Sequence, residues 1–213
     1  MIPKSKKQLK IASLFSTKLP TLRDYDVEVR TGSVVWNRDE RNRFSTRGRV
    51  SKAAYGRYPL IWSDCIGMDG TFNFERARKR APKELFVGTT LLDPELISTS
   101  AIALKRTSNS NQSRRLFSAH ICKKFVKSYG GYLGENHVNL IVPRTSTCTA
   151  DLKLLSKTLN SAPVDAAFRC LSGSSAVSKY ELNRLPLPDL AVVKKGLDEG
   201  YCIDEAVKNS LYE

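Results

Sequence analysis

The sequence predicts an α+β fold with a strand-rich, basic N-terminal part and a helical C-terminal part. Three observations carry this: short β-branched or alternating runs as far as Pro143, apolar spacing of three to four from Leu152 onward, and basic charge concentrated ahead of that switch. The 213 residues are 41% apolar and 26% charged, with 12 Gly and 9 Pro. That is enough for one compact domain or two small ones, and it excludes wholesale disorder, collagen and coiled coil.

Residues 1–26 read as an N-terminal arm or short helix: Lys4, Lys6, Lys7 and Lys10 precede Ile11, Leu14 and Phe15, and Leu19-Pro20 closes the stretch. From Tyr25 to Trp36 the run YDVEVRTGSVVW alternates, breaks at Thr31-Gly32 and resumes, which predicts two strands joined at a tight turn or bulge. An Arg-rich loop follows. Tyr58 to Trp62 and Glu84 to Thr90 read as buried strands, and Ile97 to Thr107 as a strand with a polar end. The spacing of Leu116, Ala119, Ile121, Cys122 and Phe125 predicts a helix from Arg114 to Lys127, with His120 as a half-exposed residue on it.

Gly130-Gly131 turns the chain into VNLIVP, a strand ended by Pro143. Beyond it, Leu152 to Leu159 presents an apolar helical face, and Pro163 opens a second helix, where a first-turn proline wastes no hydrogen bond. Ser178, with Glu181 three residues on, is a capping-box pattern, and the helix it opens must stop before Leu185-Pro186-Leu187-Pro188. An amphipathic helix from Asp189 to Leu211, with a break at Gly196 or Gly200, closes the chain. The expected organisation is an arm over 1–26, a strand-rich, basic region over 27–150, and a helical tail over 151–213 whose apolar faces suit docking to another chain.

Charge carries the first functional inference. Residues 1–89 hold 19 Lys and Arg against 9 Asp and Glu, residues 90–150 hold 8 against 3, and residues 151–213 hold 8 against 9. Between Glu40 and Asp64 there is no acid, while Arg41, Arg43, Arg47, Arg49, Lys52 and Arg57 fall in that window. With a net charge of +14 the pattern points to a polyanion, the competing reading being a solvated basic face that maintains solubility. The window lacks the interleaved Leu, Phe and Trp of an interfacial membrane helix, and no apolar run approaches the ~20 residues of a membrane span. The start MIPKSKKQLK lacks a cleavage site behind it, and the five cysteines are at least 22 residues apart, with no CxxC pair. A reducing cytoplasm is the expected setting.

Catalytic chemistry is hard to assemble from these residues. Two histidines, His120 and His137, leave little for a triad or a His-based metal site, and no P-loop or dinucleotide fingerprint occurs. Glu135-Asn136-His137 puts a carboxylate, an amide and an imidazole in sequence, but neighbouring residues point different ways on most backbones, which favours a structural role. Trp36 and Trp62 read as core or hinge aromatics rather than stacking platforms.

Several segments together carry a resemblance. LKRTSNSNQSRRLFSAHI (104–121), GGYLGENHVNLIVP (130–143) and LNSAPVDAAFRCLSGSSAVSKYELNRLPLP (159–188) are similar to the C-terminal target-recognition region of type II adenine-N6 DNA methyltransferases of restriction-modification systems. RTGSVVWN (30–37) and YPLIW (58–62) resemble its opening, so the likeness spans residues 27–188; type I specificity subunits carry a similar tail. One block departs. Where the family has QRTT followed by AKEQ and RR, this chain keeps Arg106, Thr107, Gln112, Arg114 and Arg115 but not the lysine and glutamate.

The resemblance implies site-specific binding of double-stranded DNA, with S-adenosylmethionine and catalysis supplied by a methyltransferase catalytic domain or subunit. This chain has no Pro-Pro pair, no Asn-Pro-Pro-Tyr-type loop and no glycine-rich S-adenosylmethionine motif. Beside the resemblance, the residue types agree with base and phosphate reading. Arg pairs with guanine and Asn or Gln with adenine, while Lys, Ser and backbone N–H groups hold phosphate. For base reading the expected residues are Asn37, Arg38, Arg41, Arg43, Arg47 and Arg49, plain phosphate contact being the alternative for each. Arg106, Thr107, Arg114 and Arg115 are expected as phosphate clamps, the alternative being stems packed on the core. Ser174, Ser175, Ser178 and Lys179 form a hydroxyl-rich turn suited to a phosphate. Two further readings stay open: a stand-alone module for RNA or protein, and an unfamiliar nuclease needing metal and a carboxylate cluster.

Overall fold

A computed structural model describes residues 11, 13–48, 55–79, 84–108, 112–172 and 174–212. The fold is α+β. Its centre is a four-stranded antiparallel sheet of β1 (Val27–Thr31), β8 (Val138–Pro143), β5 (Ala101–Lys105) and β6 (Ser118–Ile121), in that spatial order. A second sheet orders β2 (Arg43–Phe44), β4 (Phe86–Thr90), β3 (Tyr55–Ile61) and β7 (Leu133–Gly134), with only the β3–β7 pairing parallel.

Side-chain alternation lets the central sheet serve two cores at once, since successive residues of a strand face opposite ways. Val27, Val29, Ile102, Leu104 and Ile141 join the helical side, whereas Ala101, Ala103, Ala119, Ile121, Leu140 and Val142 join the side of the second sheet. The helices are α2 (Leu152–Leu159), α3 (Ala162–Leu171), α4 (Lys179–Asn183), α5 (Leu190–Asp198) and α6 (Ile203–Tyr212), while α1 (Lys123–Tyr129) lies on the opposite side with Phe74, Phe86 and Phe125.

Local chemistry sets these helix boundaries, and the capping box and the glycine break fall where the sequence predicts them. Asp151 caps α2 by accepting from Leu154 N at 2.9 Å, and Ser178 with Glu181 closes a reciprocal capping box on α4. The helical break after Asp198 falls at Gly200, whose φ of +94° is costly for any residue with a Cβ.

Three sequence expectations change. The segment expected as a helix from Arg114 is instead strand β6 followed by the shorter helix α1, and His120 lies on the strand with Nε2 2.9 Å from Ser100 Oγ. The buried set Phe117, Ala119 and Ile121 has the period of a strand, and Cys122, with extended backbone, starts the helix afresh. The break at Thr31-Gly32 is not a hairpin but a crossing between sheets: β1 ends there, and Val34 bridges Glu135 beside β7. A Cβ on Gly32 would sit 2.1 Å from the Glu135 carbonyl oxygen, so the crossing needs glycine. Lastly, the tail over 151–213 shares one core with β1, β5 and β8, and both Leu185 and Leu187 are fully buried in it. Its main apolar faces are therefore spent within the chain. The described arm residues belong to the same core through Ile11 and Leu14.

Among the described residues, no helix is long and apolar enough to cross a membrane.

Candidate nucleic-acid interface

Strand direction decides which polar groups meet. The C-terminal ends of β1 and β5 and the N-terminal ends of β8 and β6 lie at one end of the central sheet, because Thr31 pairs with Asn139, Lys105 with Val138, and Leu104 with Ser118. Loops leaving that end bring together Arg106-Thr107, Asn136-His137 and the turn before α4.

Backbone bonds fix the assembly. Arg106 N donates to His137 O at 2.8 Å, Val177 N to Arg106 O at 2.6 Å, and Ser108 N to Ser175 O at 3.0 Å. Buried Asn139 donates from Nδ2 to Val177 O at 2.7 Å, tying β8 to the same turn. The Val34 crossing adds a further loop, since Asn136 N donates to Val34 O at 3.0 Å. Val35 O then accepts from Arg38 N and Asp39 N, both at 2.8 Å, holding the tight turn that exposes Trp36, Asn37 and Arg38.

The residues expected to touch DNA separate into two groups. Asn37, Arg38, Thr107, Ser174, Ser175 and Lys179 are exposed around this end, and half-buried Arg106 donates from Nη1 to Asn136 O at 2.9 Å. Arg114, half-buried, is bonded to Asn160 O at 2.7 Å and to Met68 O, its guanidinium 5.1 Å from the Phe117 ring centre.

The rest are engaged elsewhere. Arg41 bonds Asp39 through Nε at 2.9 Å, and its Nη1 reaches Asp93 at 3.0 Å; the Arg41 bond holds the Asp39 carboxyl below the usual carboxylate range. Arg43 pairs with Glu84. Arg47 reaches Ser128 O at 2.8 Å and lies 4.8 Å from the Tyr129 ring centre, over α1 rather than at the sheet end. Arg49 lies outside the described residues.

Two expected phosphate contacts become internal supports. Arg115 is 3% exposed, donating from Nε to Ser108 Oγ at 2.8 Å and from Nη2 to Ser174 O, with Phe168 beneath it. The Ser178 hydroxyl is used in the α4 capping box, donating to Glu181 at 2.7 Å and accepting from its N–H at 3.1 Å. Both residues shape the turn carrying Ser174, Ser175 and Lys179; we assign them that supporting role.

Beside the Trp36 turn lies a groove of about 580 Å³ lined by Trp36, Arg43, Trp62, Ser63, Glu84, Glu135 and His137. The sequence favours core or hinge roles for both tryptophans, yet Trp36 is 53% exposed because its turn carries it over the groove. Trp62 is partly buried, its Nε1 donating to Glu84 O at 3.1 Å. Glu135 and His137 do meet: the buried carboxyl accepts from His137 N at 2.9 Å and contacts Nδ1 at 2.8 Å. The tight turn at Glu135–Val138, closed by Val138 N donating to Glu135 O at 2.9 Å, folds the two side chains onto one side. Among the described residues no group of three or more His, Cys, Asp or Glu side chains is placed to hold a metal ion. No protein-family model and no curated protein matches the chain.

Proposed function

We propose that this chain is a duplex-DNA-binding target-recognition domain that selects a short site for an adenine-N6 methyltransferase catalytic domain or subunit. The observation that carries the reading is the convergence, at one end of the central sheet, of exposed Asn37, Arg38, Thr107, Ser174, Ser175 and Lys179 around Arg106, on loops and a helix start stitched to one another by backbone bonds. Amide and guanidinium groups supply base-edge partners, and hydroxyl and ammonium groups supply phosphate partners. A net charge of +14 supports a polyanion partner, and the likeness of residues 27–188 to target-recognition regions supports DNA methylation as the setting. In this reading the methyl donor and the transfer step belong to the catalytic chain, and the complex works in the cytoplasm on the nucleoid.

The test is the anisotropy of a labelled DNA duplex titrated with the chain between about 50 and 200 mM salt, for the parent and the triple variant Arg38→Ala, Arg106→Ala, Lys179→Ala. The expected parent signal is affinity that falls log-linearly with salt, with a slope shallower by about three in the triple variant. Salt-independent binding, or a triple variant equal to the parent, rejects the proposed interface.

A further inference from the structure

The guanidinium of Arg41 joins two loops that are far apart in sequence. On one side it grips Asp39, with Nε 2.9 Å from Oδ1 and Nη2 bonded to Oδ2; on the other, Nη1 reaches Asp93 Oδ2 at 3.0 Å and Nη2 reaches Glu95 at 3.2 Å. Asp93 is itself fixed, accepting from Thr89 Oγ1 at 2.6 Å and from Glu95 N at 2.9 Å. The side chains of Asp39 and Asp93 are only 9% and 11% exposed, so water and salt screen these pairs less than they would on an open surface. A planar fork of donors held by two carboxylates keeps one orientation, which a single ammonium would not reproduce. Three carboxylates around one guanidinium also leave the cluster net negative, a poor place for Arg41 to receive a phosphate.

This cluster stands at the foot of the turn that presents Asn37 and Arg38. Asp39 closes the turn by donating its N–H to Val35 O at 2.8 Å, and its own carbonyl accepts from Arg43 Nη1 at 3.1 Å. Its carboxyl, gripped by Arg41, is thereby tied to the loop after β4, so Asp39 is fixed at backbone and side chain alike. The other foot of the turn is fixed at Val34, which bridges Glu135. Between the two feet, Asn37 and Arg38 stand exposed. Side chains that read base edges do so only when held close to one productive geometry, and that precision comes from a further layer of hydrogen bonds behind them. A loop that must instead be ordered on binding loses affinity for each side chain it immobilises.

We infer that Arg41 is a positioning residue: without touching DNA, it clamps Asp39 to Asp93 and so holds Asn37 and Arg38 in the orientation that selects the base pairs they meet. The inference rests on the DNA-binding reading above. It separates two properties that a contact residue changes together. Loss of the clamp frees the turn, so discrimination falls at the positions read by Asn37 and Arg38. The cations that meet phosphate, Arg106 and Lys179 among them, stay in place, and the salt dependence of binding stays with them.

The experiment exposes the intact chain to a randomised duplex pool and reads the base preference at each position by sequencing the retained fraction. It compares the parent, Arg41→Ala, Asp93→Asn, and the pair Asn37→Ala with Arg38→Ala. For Arg41→Ala the expected result is a loss of about tenfold in preference, confined to the positions that the pair variant also flattens, with the parent's salt slope on a fixed duplex. Asp93→Asn keeps an acceptor for Glu95 N but removes the charge that anchors Arg41, and it flattens the same positions. Adding Arg41→Ala to the pair variant reduces selectivity no further, whereas a merely structural role would reduce it again at every position. An Arg41→Ala chain that flattens all positions alike, or whose salt slope is shallower by about one, overturns the inference, the latter because Arg41 is then a phosphate contact. Should Arg41→Ala fail to fold, Asp93→Asn carries the same test. If the parent selects a motif and both single variants keep it, this inference alone fails. If the parent's retained pool is random, the DNA reading fails and this inference with it.

Discussion

Truncating Arg115 separates support from contact. Its guanidinium makes two charge-assisted bonds, to Ser108 Oγ at 2.8 Å and to Ser174 O, in a site that leaves the residue 3% exposed. Hydrogen bonds to charged groups contribute about 1.5–3 kcal/mol each. Arg115→Ala removes both, strands the hydroxyl of Ser108, itself 5% exposed, and empties the space of the stem beside Phe168. The expected loss is about 3–6 kcal/mol, a large share of the ~5–15 kcal/mol that holds a domain folded. With a urea slope of about 2 kcal/mol per molar, the midpoint of unfolding falls by about 2 M. Lys179→Ala provides the contrast: its side chain is exposed at the start of α4, so stability changes by less than about 0.5 kcal/mol while duplex affinity drops. Urea melts followed by tryptophan emission measure the first quantity and anisotropy the second. An Arg115→Ala midpoint equal to the parent's, with weakened DNA binding, would refute the reasoning and return Arg115 to the phosphate contacts.

Two further predictions follow from single contacts. Gly32→Ala forces a methyl to within 2.1 Å of the Glu135 carbonyl oxygen, backbone that cannot swing away, so thermal stability drops by about 1–3 kcal/mol; an unchanged melting temperature contradicts the crossing between sheets. Burial pulls the pKa of His120 below its ordinary 6.5, with Lys153 adding to the shift and Asp151 opposing it. A depressed folded pKa means that the unfolded chain takes up the proton first, so this contribution to stability is full above pH 6.5 and is lost as pH falls through the folded pKa. Between about pH 7.5 and 5.5 the parent therefore loses more thermal stability than His120→Gln, as scanning calorimetry of both reads; equal losses rule His120 out.

Much of this molecule was legible from one-dimensional patterns. The β-branched run at Val138–Pro143, the capping box at Ser178 and Glu181, and the helical spacing after Leu152 depend on neighbours in sequence, and each appears where it was expected. Arg114 to Ile121 misled because apolar residues at 117, 119 and 121 satisfy a strand while Leu116, Ala119 and Cys122 mimic a helix. The site was legible as a charge but not as a geometry. Sequence cannot tell that Arg41 meets Asp93 or that Arg115 meets Ser108 and Ser174, since those bonds close over 52, 7 and 59 residues. Nor does it disclose the groove, for Trp36, Trp62 and Glu135 are joined only by the crossing at Gly32 and the pairing of β3 with β7.

The central claim is that the chain itself chooses a DNA site. Binding a randomised duplex pool at about 0.15 M salt, where distant surface charges are largely screened, and sequencing the retained fraction tests it most directly. The account predicts enrichment of a single short motif containing an adenine, lost when Arg38, Arg106 and Lys179 are replaced together by alanine. A retained pool as random as the input would contradict it.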